Sequence, residues 1–148
     1  MNYLRKLIEG SGDMPVNEIE ELKEQFISQL KPLKIYLFGS FADGTYTEES
    51  DFDFYIIVSD EVKKLKDLTT QAYRSIRKIK KRPVDIIIGT ESTFENKKNS
   101  PSVENEVMKK GILLYESGNE KVGYSTKGKG FQEMKNRYVE RKMASGRR

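Results

Sequence analysis

Apolar residues recur along this chain in two rhythms, and the switches between them outline the elements. Val16, Ile19, Leu22, Phe26 and Leu30 fall three or four apart, with acids early and Lys late, which predicts an amphipathic helix. Pro15 suits its first turn and Pro32 ends it. Lys34–Phe38, KIYLF, is a short apolar run between Pro32 and Gly39 and reads as a strand. Gly39–Ser50 is rich in turn residues, and Asp51–Val58, DFDFYIIV, is the strongest strand signal in the chain. Val62, Leu65, Leu68, Ala72, Ile76 and Ile79 then share one face of a helix expected over 60–81. After Pro83, Val84–Ile88 is a third strand. Residues 90–101 are polar and read mostly as loop. Ser102–Lys110 suits a short helix stopping at Gly111, and Ile112–Tyr115 a fourth strand.

The ends differ in character. Residues 1–13 read as a loose or short helical arm. Beyond Gly118 the chain turns to Gly, Lys and Ser, with Phe131, Met134 and Tyr138 on one face of a helix expected over about 131–143. The expected organisation is a domain over 1–117 and a basic, partly helical extension over 118–148. Strands alternating with helices give an α/β or α+β class, with a small mixed sheet flanked by helices.

Charge sharpens that division. Residues 118–148 hold nine Lys or Arg against three Glu, so of the net +4 this segment carries +6 and the body −2. The pI of 9.1 therefore describes the tail, and nucleic acid is not the expected partner. The run Arg74–Arg82, RSIRKIKKR, has Ile76 and Ile79 at helical spacing, so it reads first as the solvated face of the second long helix. No apolar run approaches the roughly 20 residues of a membrane helix, and no secretory h-region opens the chain, so a cytoplasmic protein without membrane contact is expected.

Composition then narrows the chemistry. There is no His and no Cys, which removes His-based triads, Cys nucleophiles, thiolate zinc sites and disulfides. A metal would have oxygen ligands and be a hard ion, Mg²⁺ or Mn²⁺. Acid–base work would fall to carboxylates, Lys, Tyr or water.

Asp51 and Asp53 are two apart in the strongest strand, so both carboxylates point to one face, roughly 6–7 Å apart at their Cα atoms. Phe52, Phe54, Ile56 and Val58 face the other way, into the core. Alone, an Asp-x-Asp is most simply a strand beginning at a solvent edge. Asp53, however, lies inside the apolar run, where two like charges gain nothing unless a cation joins them. Asp85 repeats the theme as the second residue of Val84–Ile88. If the two strands are neighbours in register, three carboxylates converge, and three can hold two Mg²⁺ ions across a phosphoryl transfer. Gly39-Ser40, just after the first strand, allows backbone to approach a phosphate closely, and a helix starting near Phe41 would add amide donors. By itself a Gly-Ser is an ordinary loop, and the spacing and Lys of a P-loop are absent.

Taken together, LFGSFADGTYTEESDFDFYIIV and the later VDIII resemble the nucleotidyltransferase superfamily that includes DNA polymerase β, and within it the minimal nucleotidyltransferases. The likeness spans about Ile35 to Tyr115. It implies that Gly39 and Ser40 hold an NTP triphosphate, that Asp51 and Asp53 bind metal, and that Asp85 binds the second metal and helps activate an acceptor hydroxyl. It implies a polymerase-β-like fold, two Mg²⁺ (Mn²⁺ serving equally), ATP as nucleotide, and AMP transfer to a partner such as a HEPN-domain protein in a toxin–antitoxin pair. Two other functions fit the same residues: an aminoglycoside or lincosamide nucleotidyltransferase, and a nucleotide-binding module without catalysis. The chain departs from the pattern at Asp43, where many relatives carry a basic residue. An acid beside a triphosphate would cost affinity unless it points away.

Overall fold

A computed structural model describes residues 14–118, and every structural statement below concerns that span. The elements run α1 (Val16–Leu30), β1 (Lys34–Phe38), α2 (Ser40–Asp43), β2 (Phe52–Val58), α3 (Leu65–Ile76), β3 (Val84–Thr90), α4 (Glu91–Lys97), α5 (Val103–Lys110) and β4 (Ile112–Glu116). The four strands form one mixed sheet in the order β3-β2-β1-β4. β1 is antiparallel to both β2 and β4, while β2 and β3 run parallel. A parallel pair needs a crossover, and α3 supplies it. The fold is α+β, as the alternation of patterns predicts.

One face of the sheet carries the main core. Ile35, Leu37, Phe52, Phe54, Ile56, Val58, Val84 and Ile86 pack against α1, through Ile19, Leu22 and Phe26, and against α3, through Ala72 and Ile76. Alternation along β2 thus buries the side expected to be buried. The opposite side of β2 is covered too. Tyr55 and Ile57 join Phe38, Phe94 and Val107 in a second, smaller cluster under α4 and α5. Being buried on both faces explains why β2 reads as an almost unbroken apolar run. Asp53 is the second residue of the strand.

Several boundaries differ from expectation, among them the ends of β3, which runs on to Thr90, and of β4, which runs on to Glu116. The helix expected over 60–81 is shorter, Leu65–Ile76, because residues beyond it close tight turns: Ile79 N–H and Lys80 N–H both donate to Ile76 O. The segment expected as loop contains α4. Its sequence, ESTFENK, has a single apolar anchor, Phe94, and so no helical rhythm; the helix is started by Thr90, whose hydroxyl accepts from Thr93 N–H at 3.3 Å. Asp51 lies one residue ahead of β2 rather than within it. α5 begins and ends as expected, with Ser102 accepting from Asn105 N–H at 3.0 Å and Gly111 closing it. The arm over 1–13 and the helix expected over 131–143 lie outside the described residues.

Candidate active site

The sheet register does what the sequence left conditional. In the parallel pair, Asp53 stands directly opposite Asp85, and on its other side Asp53 pairs with Phe38, the last residue of β1. Neighbours in register on adjacent strands point their side chains to the same face, so the two carboxylates project together. They are close enough to share a hydrogen bond. Asp85 is exposed and Asp53 partly buried, as befits an edge strand beside an inner one.

Two carboxylates in contact cannot both ionise at ordinary cost. Burial pushes the Asp53 carboxyl up from 3.8 to about 6, and the neighbouring charges of Asp85 and then Asp51 add to it, with a smaller share from Glu106 of α5. At neutral pH the pair is a concentrated, strained negative charge, the electrostatic state a cation relieves. Among the described residues no group of three or more Asp or Glu side chains is close enough to hold a metal ion. The structure therefore brings Asp53 and Asp85 together, while Asp51, just before β2, acts on Asp53 by its charge without closing a three-carboxylate cluster.

Gly39 follows Phe38 and comes up against the same carboxylate. Its φ is +77°, a left-handed conformation that favours glycine, and a Cβ there would overlap Asp53 Oδ2. No other residue fits without displacing the acid. Ser40 opens α2 directly after it; the first backbone bonds of that turn are Ala42 N–H and Asp43 N–H to Gly39 O, at 3.0 and 3.1 Å. The amides of Ser40 and Phe41 precede those bonds. Gly39, Ser40, Asp53 and Asp85 thus meet at one end of the sheet, with Asp51 beside them.

Asp43 has its own occupation. It is exposed, and its Oδ1 accepts from Thr45 N–H at 3.0 Å and from Thr45 Oγ1–H at 2.7 Å. That is a local Asx turn, and it gives this acid a structural task in the bend after α2.

Two groups near the site escaped the sequence reading. Tyr55, two residues beyond Asp53 on the same face of β2, donates its hydroxyl to Glu104 Oε2 of α5 at 2.7 Å inside the protein. Burial and the Glu104 carboxylate hold the phenol protonated far above its ordinary value. Gly89 makes room for that hydroxyl, since a Cβ at this position would overlap it. Arg82, read as part of a solvated basic run, is half-buried and turned inward onto Glu18, Phe41 and Phe52. Neither has a local signal: their partners lie 49 and 64 residues away.

An acid pair with only oxygen donors, pressed against a glycine turn at the end of a mixed sheet, defines a site suited to phosphate chemistry under a hard cation. Comparison with known proteins gives the class a name. The family model for the nucleotidyltransferase domain matches residues 19–114, and the chain belongs to that family. It is a nucleotidyltransferase. A Methanocaldococcus jannaschii protein named as a protein adenylyltransferase is 34% identical over 97 residues, covering 66% of this chain and 90% of that protein. Among solved structures, a nucleotidyltransferase from Sulfolobus solfataricus is 18% identical with a TM-score of 0.46, covering 78% of this chain and 85% of its own. A toxin–antitoxin complex with AMP-PNP is 20% identical with a TM-score of 0.45, covering 86% and 93%.

Proposed function

We propose that this nucleotidyltransferase moves AMP from ATP onto a hydroxyl of a partner protein, in a reaction dependent on Mg²⁺. The observation that carries the reading is the Asp53–Asp85 pair, set side by side by the parallel register, with Asp53 against Gly39. The name of the 34%-identical relative supports adenylyl transfer to protein. A HEPN-type protein is the partner we propose, as one half of a toxin–antitoxin pair.

In this scheme Asp51, Asp53 and Asp85 are the catalytic carboxylates and would hold Mg²⁺, or Mn²⁺ in its place. Donor chemistry favours the fit. The residues offer oxygen alone, two of the three are register partners on neighbouring strands, and Mg²⁺ commonly takes one or two carboxylates with water and phosphate oxygens completing its shell. When bound, the ion supplies charge neutralisation for the triphosphate and acidifies the attacking hydroxyl. Gly39 and Ser40 contribute backbone amides and a hydroxyl to the phosphates, and Gly39 keeps the turn close enough to the acids for one nucleotide to span both. Exposed Asp85 faces the incoming acceptor and accepts its proton. The acceptor O–H bond breaks, a bond forms from that oxygen to the α-phosphorus, and the bond from the α-phosphorus to the bridging oxygen breaks, releasing pyrophosphate. Catalysis is then positioning and charge neutralisation, which suits a chain without His or Cys.

Asp43 is the residue that favours a non-catalytic module. Its engagement with Thr45 supports the catalytic reading instead, because a carboxylate committed to a turn need not face the triphosphate. The test is to incubate the protein with Mg²⁺, α-labelled ATP and the protein encoded beside it. Label should appear on that protein, disappear with EDTA, and be lost with Asp53→Asn or Asp85→Asn. A folded, ATP-binding protein that labels no acceptor would sink the proposal.

A further inference from the structure

The guanidinium of Arg82 bridges residues next to both halves of the site. Its Nε and Nη2 donate to Glu18 Oε1 and Oε2 at 3.2 and 3.1 Å, a two-pronged contact to α1. The same group lies 5.4 Å from the ring centroid of Phe41 and 4.8 Å from that of Phe52. Those rings are themselves in contact, 4.8 Å apart, and Phe41 stacks on Tyr46 at 4.7 Å. One residue further along, Pro83 O accepts from Phe52 N–H at 3.1 Å.

The neighbours of these rings in sequence give the arrangement its meaning. Phe41 follows Ser40 in α2, and Phe52 is flanked by Asp51 and Asp53. Both rings are buried, each next in sequence to a candidate phosphate or metal ligand. The β1–β2 ladder, which pairs Phe38 with Asp53, already brings the two ligand groups near each other, and residues 43–50 between them form a bend of exposed and half-exposed residues in which Tyr46 stacks on Phe41. A planar cation lying over both rings and anchored to a third element adds a further constraint on that spacing. Lys could keep the charge near Glu18 but has no flat surface to cover two rings.

We propose that Arg82 is a positioning residue: through Phe41 and Phe52 it holds the Gly39-Ser40 turn at a fixed spacing from Asp51 and Asp53. The proposal rests on the reading of those four residues as part of a nucleotide and metal site only for its consequence in binding; the spacing itself is testable without it. Arg82→Met, Arg82→Lys and Glu18→Gln are compared with Leu30→Ala. Leu30→Ala removes buried apolar volume at the far end of α1 and serves as a stability control.

Hydrogen exchange is followed by mass spectrometry in peptides covering 39–46 and 51–55. Both peptides should exchange faster in Arg82→Met, and less markedly so in Arg82→Lys, while Leu30→Ala leaves them as in the wild type or loosens the whole domain evenly. Mg-ATP affinity by calorimetry should fall about tenfold or more in Arg82→Met, with Arg82→Lys recovering part of the loss and Leu30→Ala unchanged. If Arg82→Met does not fold, Arg82→Lys and Glu18→Gln carry the same comparison. Exchange in the two peptides that matches the wild type, or that follows global stability alone, overturns the positioning role. A wild type that binds no Mg-ATP overturns the nucleotide reading and leaves the exchange experiment to decide the strut.

Discussion

Replacing Asp53 by Asn should make the metal-free protein more stable above pH 6 while destroying its ability to be stabilised by Mg²⁺. Burial and the neighbouring Asp85 charge make ionised Asp53 costly in the fold. Asp53 titrates near 6 in the fold, against 3.8 for an ordinary aspartate. A carboxyl whose folded value is raised favours the folded state when protonated. Its contribution is intact below about 4, fades as pH rises from about 4 to 6, and above that the charged pair is a constant burden. At about 1.4 kcal/mol per tenfold, the gap from 3.8 to about 6 sets a ceiling of about 3 kcal/mol. Solvent reaches part of the site, so about 1–2 kcal/mol is the expected size. Asn has the shape of the neutral acid and never ionises. Urea unfolding in EDTA from pH 4 to 8 should therefore show wild type and Asp53→Asn converging at the acid end and separating by that amount at the neutral end. Adding millimolar Mg²⁺ at pH 7.5 should raise the wild-type midpoint and leave the variant's in place. An Asp53→Asn protein less stable than wild type at pH 7.5 in EDTA, or a difference independent of pH, would refute the account of the pair.

Other substitutions address the rest of the site. Gly39→Ala puts a Cβ into the Asp53 carboxylate at a φ of +77°, so it should cost about 1–3 kcal/mol in thermal or urea unfolding and abolish nucleotide transfer. Tyr55→Phe strips the Glu104 carboxylate of its buried donor and should destabilise by about 1–3 kcal/mol, whereas Tyr55→Phe with Glu104→Met should recover part of that loss; a double-mutant cycle measured by urea unfolding reads the coupling. Asp43→Ala should leave Mg-ATP affinity within about threefold of wild type, because the carboxylate serves Thr45; a gain of tenfold, about 1.4 kcal/mol by calorimetry, would place it against the triphosphate.

The parts of this fold legible in the sequence are those governed by local rhythm. The α1 face from Val16 to Leu30, the four strands and the Gly111 stop of α5 all follow from spacing and turn residues. The roles of Phe52, Phe54, Ile56 and Val58 in the core were equally readable from alternation. α4 was not, since one Phe in seven residues makes no periodicity and a threonine cap is a faint signal. The candidate site divides the same way. Asp51, Asp53 and Asp85 stand out as charges in or beside apolar strands, but that Asp53 faces Asp85 is a matter of register across a crossover, which no local pattern encodes. Arg82 was hidden by its company: among RSIRKIKKR nothing marks which cation turns inward, and its acceptor Glu18 lies on another element.

Gly89, Tyr55 and Glu104 sit on three different elements and are fitted to one another. A larger residue at 89 evicts the phenol, a phenylalanine at 55 strands the acid, and an apolar residue at 104 leaves the hydroxyl without its acceptor. Each single step should be harmful, whereas a concerted exchange for an apolar set of matching shape should come close to neutral. Among descendants and relatives of this chain the three positions should therefore drift as a linked group. A sequence that keeps two members and changes the third should carry a compensating change nearby, which makes this triplet a sensitive marker of how the α5 side of the sheet has been rebuilt.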